Sequence, residues 1–143
     1  MTIHQISVFL ENRAGQLAEI TGILADNNID LRAINIAETA DYGVLRLIVC
    51  DAHKASAILL EHGFILTMTP VVAVAVTDRP GGLAGVLKLL PEAGIDVEYM
   101  YSIFGQVNGK AHMIFRVADT DKLAALLEKH GYELASDTTL GVC

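Results

Sequence analysis

Large aliphatic residues recur at every second position at Ile6, Val8 and Leu10, and again at Val72, Val74 and Val76, the two-residue period of a strand with one strongly apolar face. After each run the period changes. Leu17, Ile20 and Leu24, and later Leu83, Val86 and Leu90, recur at three and four residues, which marks one face of a helix. Asn27-Asn28 and Gly94 supply the stops. Two further strands follow in each half. The first half has them at about residues 30–38 and 43–50, joined through Asp41, Tyr42 and Gly43; the second has them at about 96–104 and 110–117. Asp51 and Asp119 stand where a carboxylate caps a second helix, with apolar faces Ala55, Ile58, Leu59 and Leu123, Leu126, Leu127. Gly63 and Gly131 end these helices, and last strands are expected at about 64–69 and 132–139. Pro91 falls in the last turn of the helix after Gly82 and should kink or shorten it, because it has no N–H to donate.

The order βαββαβ therefore occurs twice, and the halves are duplicates in register. A shift of 66 residues lays Glu11-Asn12-Arg13-Ala14-Gly15-Gln16-Leu17-Ala18 over Thr77-Asp78-Arg79-Pro80-Gly81-Gly82-Leu83-Ala84, and Ile29-Asp30 over Ile95-Asp96. Beyond the loop at residues 105–110 the shift becomes 68, pairing Leu45, Leu47 and Val49 with Met113, Phe115 and Val117, and His62-Gly63-Phe64 with His130-Gly131-Tyr132. Two copies make a duplicated domain, since a solenoid needs at least about three stacked units. The expected fold is α+β: two tandem ferredoxin-like domains, residues 1–69 and 70–143, each an antiparallel four-stranded sheet with two helices on one face. Period two puts Phe9, Ile48, Cys50, Ala73, Ala75 and Ile114 on the face opposite the helices. Such a face calls for another layer, from the second domain or another subunit, so a homodimer is expected.

Composition narrows the function. A chain of 143 residues with 52% hydrophobic content can bury a core and is not disordered. Its formal charge of −7 is spread without a basic stripe, which argues against a nucleic-acid partner. No signal-peptide pattern opens the sequence, and the longest apolar run, residues 71–76, is far too short to span a bilayer; a cytoplasmic protein without a membrane partner is expected. Cys50 and Cys143 form no C-x-x-C pair and read as a buried small hydrophobe and a terminal thiol. His4, His53 and His112 lack metal-ligand spacing, while His62 and His130 sit beside helix stops, where an imidazole meets the negative end of the helix dipole. No G-x-S-x-G, P-loop or dinucleotide motif is present, and the equivalent loops assemble no acid, base or nucleophile. Neither a catalytic activity nor a cofactor is expected.

The most distinctive segments are the two strand-to-helix turns, Asn12, Arg13, Ala14, Gly15, Gln16, Leu17 and Asp78, Arg79, Pro80, Gly81, Gly82, Leu83. Glycine lets the backbone turn sharply and approach a ligand, and the N–H groups of a first helical turn suit a carboxylate. Asn12 and Asp78 are candidates to receive the ammonium group, so that both ends of a free α-amino acid would be held. The plainer alternative is a tight turn with two polar caps. On the strand after the first helix, Tyr99 and Tyr101 replace Ala33 and Asn35, so the copies present different surfaces and one half alone could bind. Tyr99 could line a pocket and Asn35 could hydrogen-bond a ligand; core filling and a strand-edge role are the alternatives.

With these residues in view, the chain resembles the ACT domain family, whose mark is a βαββαβ unit with an [N/D]-x-P-G-x-L-like turn after the first strand. Asp78-Arg79-Pro80-Gly81-Gly82-Leu83 fits throughout; Asn12-Arg13-Ala14-Gly15-Gln16-Leu17 departs at Ala14. The resemblance implies a non-catalytic regulatory protein that binds a free amino acid at an interface between ACT domains. Most relatives carry an enzyme or transcription-factor domain, so output here would pass through a regulated enzyme or a change of assembly. Aliphatic or aromatic ligands fit the apolar strands best. The alternative is a constitutive structural or interaction subunit of an amino-acid-metabolism enzyme that binds no amino acid. A small enzyme is a third reading, disfavoured by the missing catalytic groups.

Overall fold

A computed structural model describes residues 2–11, 13–38, 42–137 and 139–140 of the chain. The elements run β1 (Ile3–Leu10), α1 (Gln16–Asp26), β2 (Leu31–Glu38), β3 (Gly43–Val49), α2 (Ala52–Glu61), β4 (Ile65–Thr77), α3 (Gly82–Leu87), β5 (Tyr99–Ser102), β6 (Lys110–Arg116), α4 (Thr120–Lys129) and β7 (Leu134–Ala135). They form two compact units, His4–Thr69 and Pro70–Leu140, with Ile3 grouped with the second. Both have the ferredoxin-like order. In the N-terminal unit the strands lie β2-β3-β1-β4, and in the C-terminal unit β5-β6-β4-β7, with residues of β4 serving each.

The duplication extends to the pairing register. Val8 lies opposite Leu45 and Leu10 opposite Gly43 in the first unit; Val74 lies opposite Met113 and Val76 opposite Ala111 in the second, the same partners after the shifts of 66 and 68. Each core follows from the periodicities. Ile6, Val8, Leu45 and Leu47 from the strands meet Ile20, Leu24, Ala55 and Leu59 from α1 and α2. Val72, Val74 and Phe115 meet Val86, Leu90, Leu123 and Leu127 in the second unit. Each such valine, leucine, isoleucine or phenylalanine side chain, fully buried, contributes about 1.5–3 kcal/mol relative to exposure.

The helix ends are set locally. Asp51 and Asp119 accept the backbone N–H of Lys54 and Lys122 at 3.0 Å, capping α2 and α4. Gly63 and Gly131 follow with φ of 84° and 81°, a left-handed conformation that costs glycine nothing. His62 Nδ1 lies 2.9 Å from the Ile58 carbonyl in the last turn of α2.

Several elements differ from the sequence expectation. The expected strands at residues 64–69 and 72–76 are one strand, β4, because Pro70 has the extended backbone a strand accepts; its carbonyl takes a hydrogen bond from Arg116 Nη1 at 2.9 Å. Helix α3 stops at Leu87, four residues before Pro91, whose missing N–H leaves the Leu87 carbonyl without its helical donor; that carbonyl accepts from Leu90 instead, at 3.3 Å. Strands β5 and β7 are shorter than expected, at four and two residues. On α1 the buried face is Gln16, Ile20 and Leu24, while Leu17 is 37% exposed. Ile48, Ala73, Ala75 and Ile114 are buried as their sheet face requires, but Phe9 is 42% exposed. Cys50 is half-buried and disulfide-bonded, which corrects its reading as an unpaired small hydrophobe; Cys143 lies outside the described residues.

Candidate functional site

The two glycine turns share two backbone hydrogen bonds and a left-handed glycine. Arg13 N–H donates to the Glu11 carbonyl and Arg79 N–H to the Thr77 carbonyl, both at 2.9 Å. Gly15 and Gly81 then take φ of 85° and 88°, and the first helical hydrogen bonds close at 3.0 Å, Glu19 to Gly15 and Gly85 to Gly81. A residue with a side chain resists this left-handed conformation, which is why glycine recurs at both N-caps.

Above each turn lies a cavity. In the C-terminal unit it measures about 440 Å³ and is bounded by the turn (Arg79, Pro80, Gly81, Gly82) on one side and Lys110, Tyr132 and Glu133 on the other. Pockets of about 300 Å³ and more hold small molecules, so the space suffices for a free amino acid. Lys110 Nζ lies 3.2 Å from Glu133 Oε2, with the two side chains 44% and 64% exposed. The cavity in the N-terminal unit, about 430 Å³, is lined by Phe9, Leu10, Glu11, Gln16, Tyr42, Gly63, Phe64 and Ile65. Gln16 is buried, and its Oε1 has no hydrogen-bond partner among the described residues.

A third cavity, about 290 Å³, shares Ala75, Lys110 and Glu133 with the first and adds Asn108, His112 and Thr139. His112 is buried on β6, and its Nδ1 has no partner among the described residues. Burial lowers its pKa below that of free imidazole; the Glu133 carboxylate and a hydrogen bond to the Lys110 backbone oppose this, and the Lys110 charge adds to it.

Of the residues singled out in the sequence, Arg79, Pro80, Gly81 and Gly82 line the C-terminal cavity and Gln16 the N-terminal one. The others are engaged elsewhere. The Asp78 carboxylate accepts from Gln106 Nε2, and Asp78 does not line the cavity. Arg13 pairs with Glu11 and Glu19 at 3.6 and 3.2 Å on the surface. Ala14 is exposed beside it, and Gly15 caps α1. Leu83 packs on the hydrophobic core. Asn35 Oδ1 accepts from Arg46 Nη1 at 3.0 Å. The rings of Tyr99 and Tyr101 stack with centroids 6.5 Å apart, and Tyr99 lines none of the three cavities. Asn12 lies outside the described residues.

A family model of the ACT domain pair matches residues 1–140. The chain is an ACT domain pair. The crystal structure of protein BT0572 from Bacteroides thetaiotaomicron is similar at 41% identity and a TM-score of 0.90, over 98% of this chain and 96% of that one. Two structures share the fold at lower identity. The ligand-free regulatory subunit of aspartate kinase from Thermus thermophilus superimposes with a TM-score of 0.61 at 15% identity, over 90% and 92% of the chains. The corresponding subunit from Thermus flavus has a TM-score of 0.53 at 13% identity, over 88% and 90%. No curated protein sequence matches significantly.

Within this ACT pair the two clefts occupy equivalent positions and differ in chemistry. Tyr42 corresponds to Lys110 and Ile65 to Glu133 under the shift of 68, so an aromatic and an aliphatic side chain stand in one copy where an ion pair stands in the other. The sequence reading of the turns missed Lys110 and Glu133. The signal that finds them is this switch from apolar to charged at two aligned positions on the strand and loop facing the turn.

Proposed function

We propose that this ACT domain pair is a non-catalytic regulatory protein that binds a free amino acid in the cleft of its C-terminal unit and passes occupancy to a partner or into a change of assembly. The observation that carries this reading is the cavity of about 440 Å³ that opens on the Arg79–Gly82 turn and is faced by a lysine and a glutamate. Charged groups of both signs beside a close-approach backbone suit a ligand that is itself a zwitterion. The two domains are taken as residues 1–69 and 70–143. Assembly as a homodimer belongs to the proposal. It is supported by β2, which ends the strand order of its unit and carries Ile36 at 47% exposure. A cytoplasmic location is proposed with it; no described helix is long and apolar enough to cross a membrane.

A thermal-shift screen of the purified chain against the twenty amino acids tests the reading. Selective binding to the native state raises stability as RT ln(1 + [L]/Kd), about 2.7 kcal/mol at a hundredfold excess over Kd. A shift confined to one amino acid, or to one chemical group of them, is the expected result. No shift with any of them at millimolar concentration sinks it.

The second reading, a constitutive interaction subunit of an amino-acid-metabolism enzyme, is favoured by the N-terminal cleft. Phe9, Tyr42 and Ile65 are 42%, 47% and 70% exposed there and form an apolar patch of the kind that proteins cover with a partner. Retention of a partner enzyme regardless of amino-acid supply would favour it.

A further inference from the structure

We infer that Lys110 and Glu133 are the head-group clamp of the C-terminal ACT unit: Lys110 takes the α-carboxylate of the bound amino acid, Glu133 takes its ammonium group, and each chain therefore holds one amino acid. This rests on the proposed amino-acid binding and names the residues and the stoichiometry that go with it.

Four observations carry it. Lys110 and Glu133 line both the cavity on the glycine turn and the neighbouring one that contains His112, so a ligand entering either meets the pair. Their ion pair, at 3.2 Å, is substantially exposed, and such a pair contributes little to the fold. A zwitterion that inserts between them replaces one ion pair with two, and it does so against a cleft wall that excludes part of the solvent. Asp78, the other acidic candidate near the turn, already accepts a hydrogen bond from Gln106. Finally, the N-terminal unit repeats the left-handed glycine of the turn with Tyr42 and Ile65 in place of the pair, so it lacks both charges.

The experiment is isothermal titration of the full chain with each of the twenty amino acids. It is followed, for the tightest of them, by titration of its N-acetyl and carboxamide derivatives into wild type, Lys110→Met and Glu133→Gln. One site per chain is expected. Each substitution should weaken the parent amino acid by about ten- to a hundredfold, the usual cost of a lost charge-assisted hydrogen bond. The decisive readout is non-additivity. N-acetylation should weaken binding to wild type but weaken binding to Glu133→Gln no further, and amidation should behave likewise with Lys110→Met. His112, which shares a cavity with the pair, supplies a local probe: its ring resonances should move on saturation, while those of Tyr42 stay in place.

Two failures are distinct. If no amino acid binds wild type, the sensor reading and the clamp fall together. If one binds wild type, and binds both variants with unchanged affinity or at two sites per chain, the clamp is wrong and the sensor reading stands. Equal melting temperatures of the unliganded variants and wild type exclude a loss through misfolding.

Discussion

Gly82 stands so close to the Thr77 carbonyl oxygen that a Cβ built on Gly82 would overlap it. The contact closes the turn that begins α3, where Gly82 N–H also donates to the Arg79 carbonyl at 3.0 Å. Glycine is thus required here by contact, whereas at Gly81 it is required by a φ of 88° with open space around the missing Cβ. Gly82→Ala should force the turn to shift and destabilise the protein by about 1–3 kcal/mol, the usual cost of overpacking. A urea titration that leaves the midpoint unchanged would show that the turn gives way freely.

Gly22 offers the opposite case. It lies exposed within α1, has helical neighbours on both sides and no heavy atom within 4 Å of a Cβ placed on it. Alanine there lowers the backbone entropy of the unfolded chain without a steric cost. Gly22→Ala should stabilise by about 0.5–1 kcal/mol, read as a rise in the thermal midpoint. A fall would mean that a second copy of the chain packs on this face of α1 in solution.

How far the sequence alone predicts this molecule depends on the range of the forces involved. Caps, glycine stops and alternating strands are decided within a few residues, so Asp51, Asp119, Gly63 and Gly131 do what their positions suggest. The continuous β4 was hidden because Pro70 reads as a break, and whether a strand passes through a proline depends on which neighbour needs its N–H. The buried face of α1 was displaced from Leu17 to Gln16 because the start of the helix at Gly15 fixes which residues face the sheet, and polarity alone does not reveal that. The turns could be recognised as candidate sites by their glycines. Lys110 and Glu133, far from them in sequence, become neighbours only when β6 pairs with β4 and the chain after α4 returns to the same end of the unit.

Asp119 gives a local test of capping. Its carboxylate accepts from Lys122 N–H at 3.0 Å and its backbone leaves the helical region before α4, the geometry of an N-cap. Asp119→Ala should cost about 1 kcal/mol, and Asp119→Asn, which keeps an acceptor, a small fraction of that. Thermal midpoints of the two variants separate them, and equal losses would assign the effect to charge instead of the hydrogen bond.

His112 predicts how stability depends on pH. Its folded pKa lies below that of the free imidazole, about 6.5, because burial disfavours the charged ring and the Glu133 carboxylate offsets this only in part. Between the two values the unfolded chain binds a proton that the folded chain does not, so stability rises with pH there. The contribution is fully present above about pH 6.5 and is lost as the pH falls through that value towards the folded pKa; below the folded pKa it changes no further. His112→Gln should therefore flatten the fall in urea midpoint between about pH 7 and 5 relative to wild type. Glu133→Gln removes the attraction that supports the charged ring and should lower the His112 pKa further, which an NMR titration of the ring resonances measures directly. A pKa that stays put in Glu133→Gln would mean that the carboxylate is too well solvated to reach the ring, and that the cavity between them is open to bulk water.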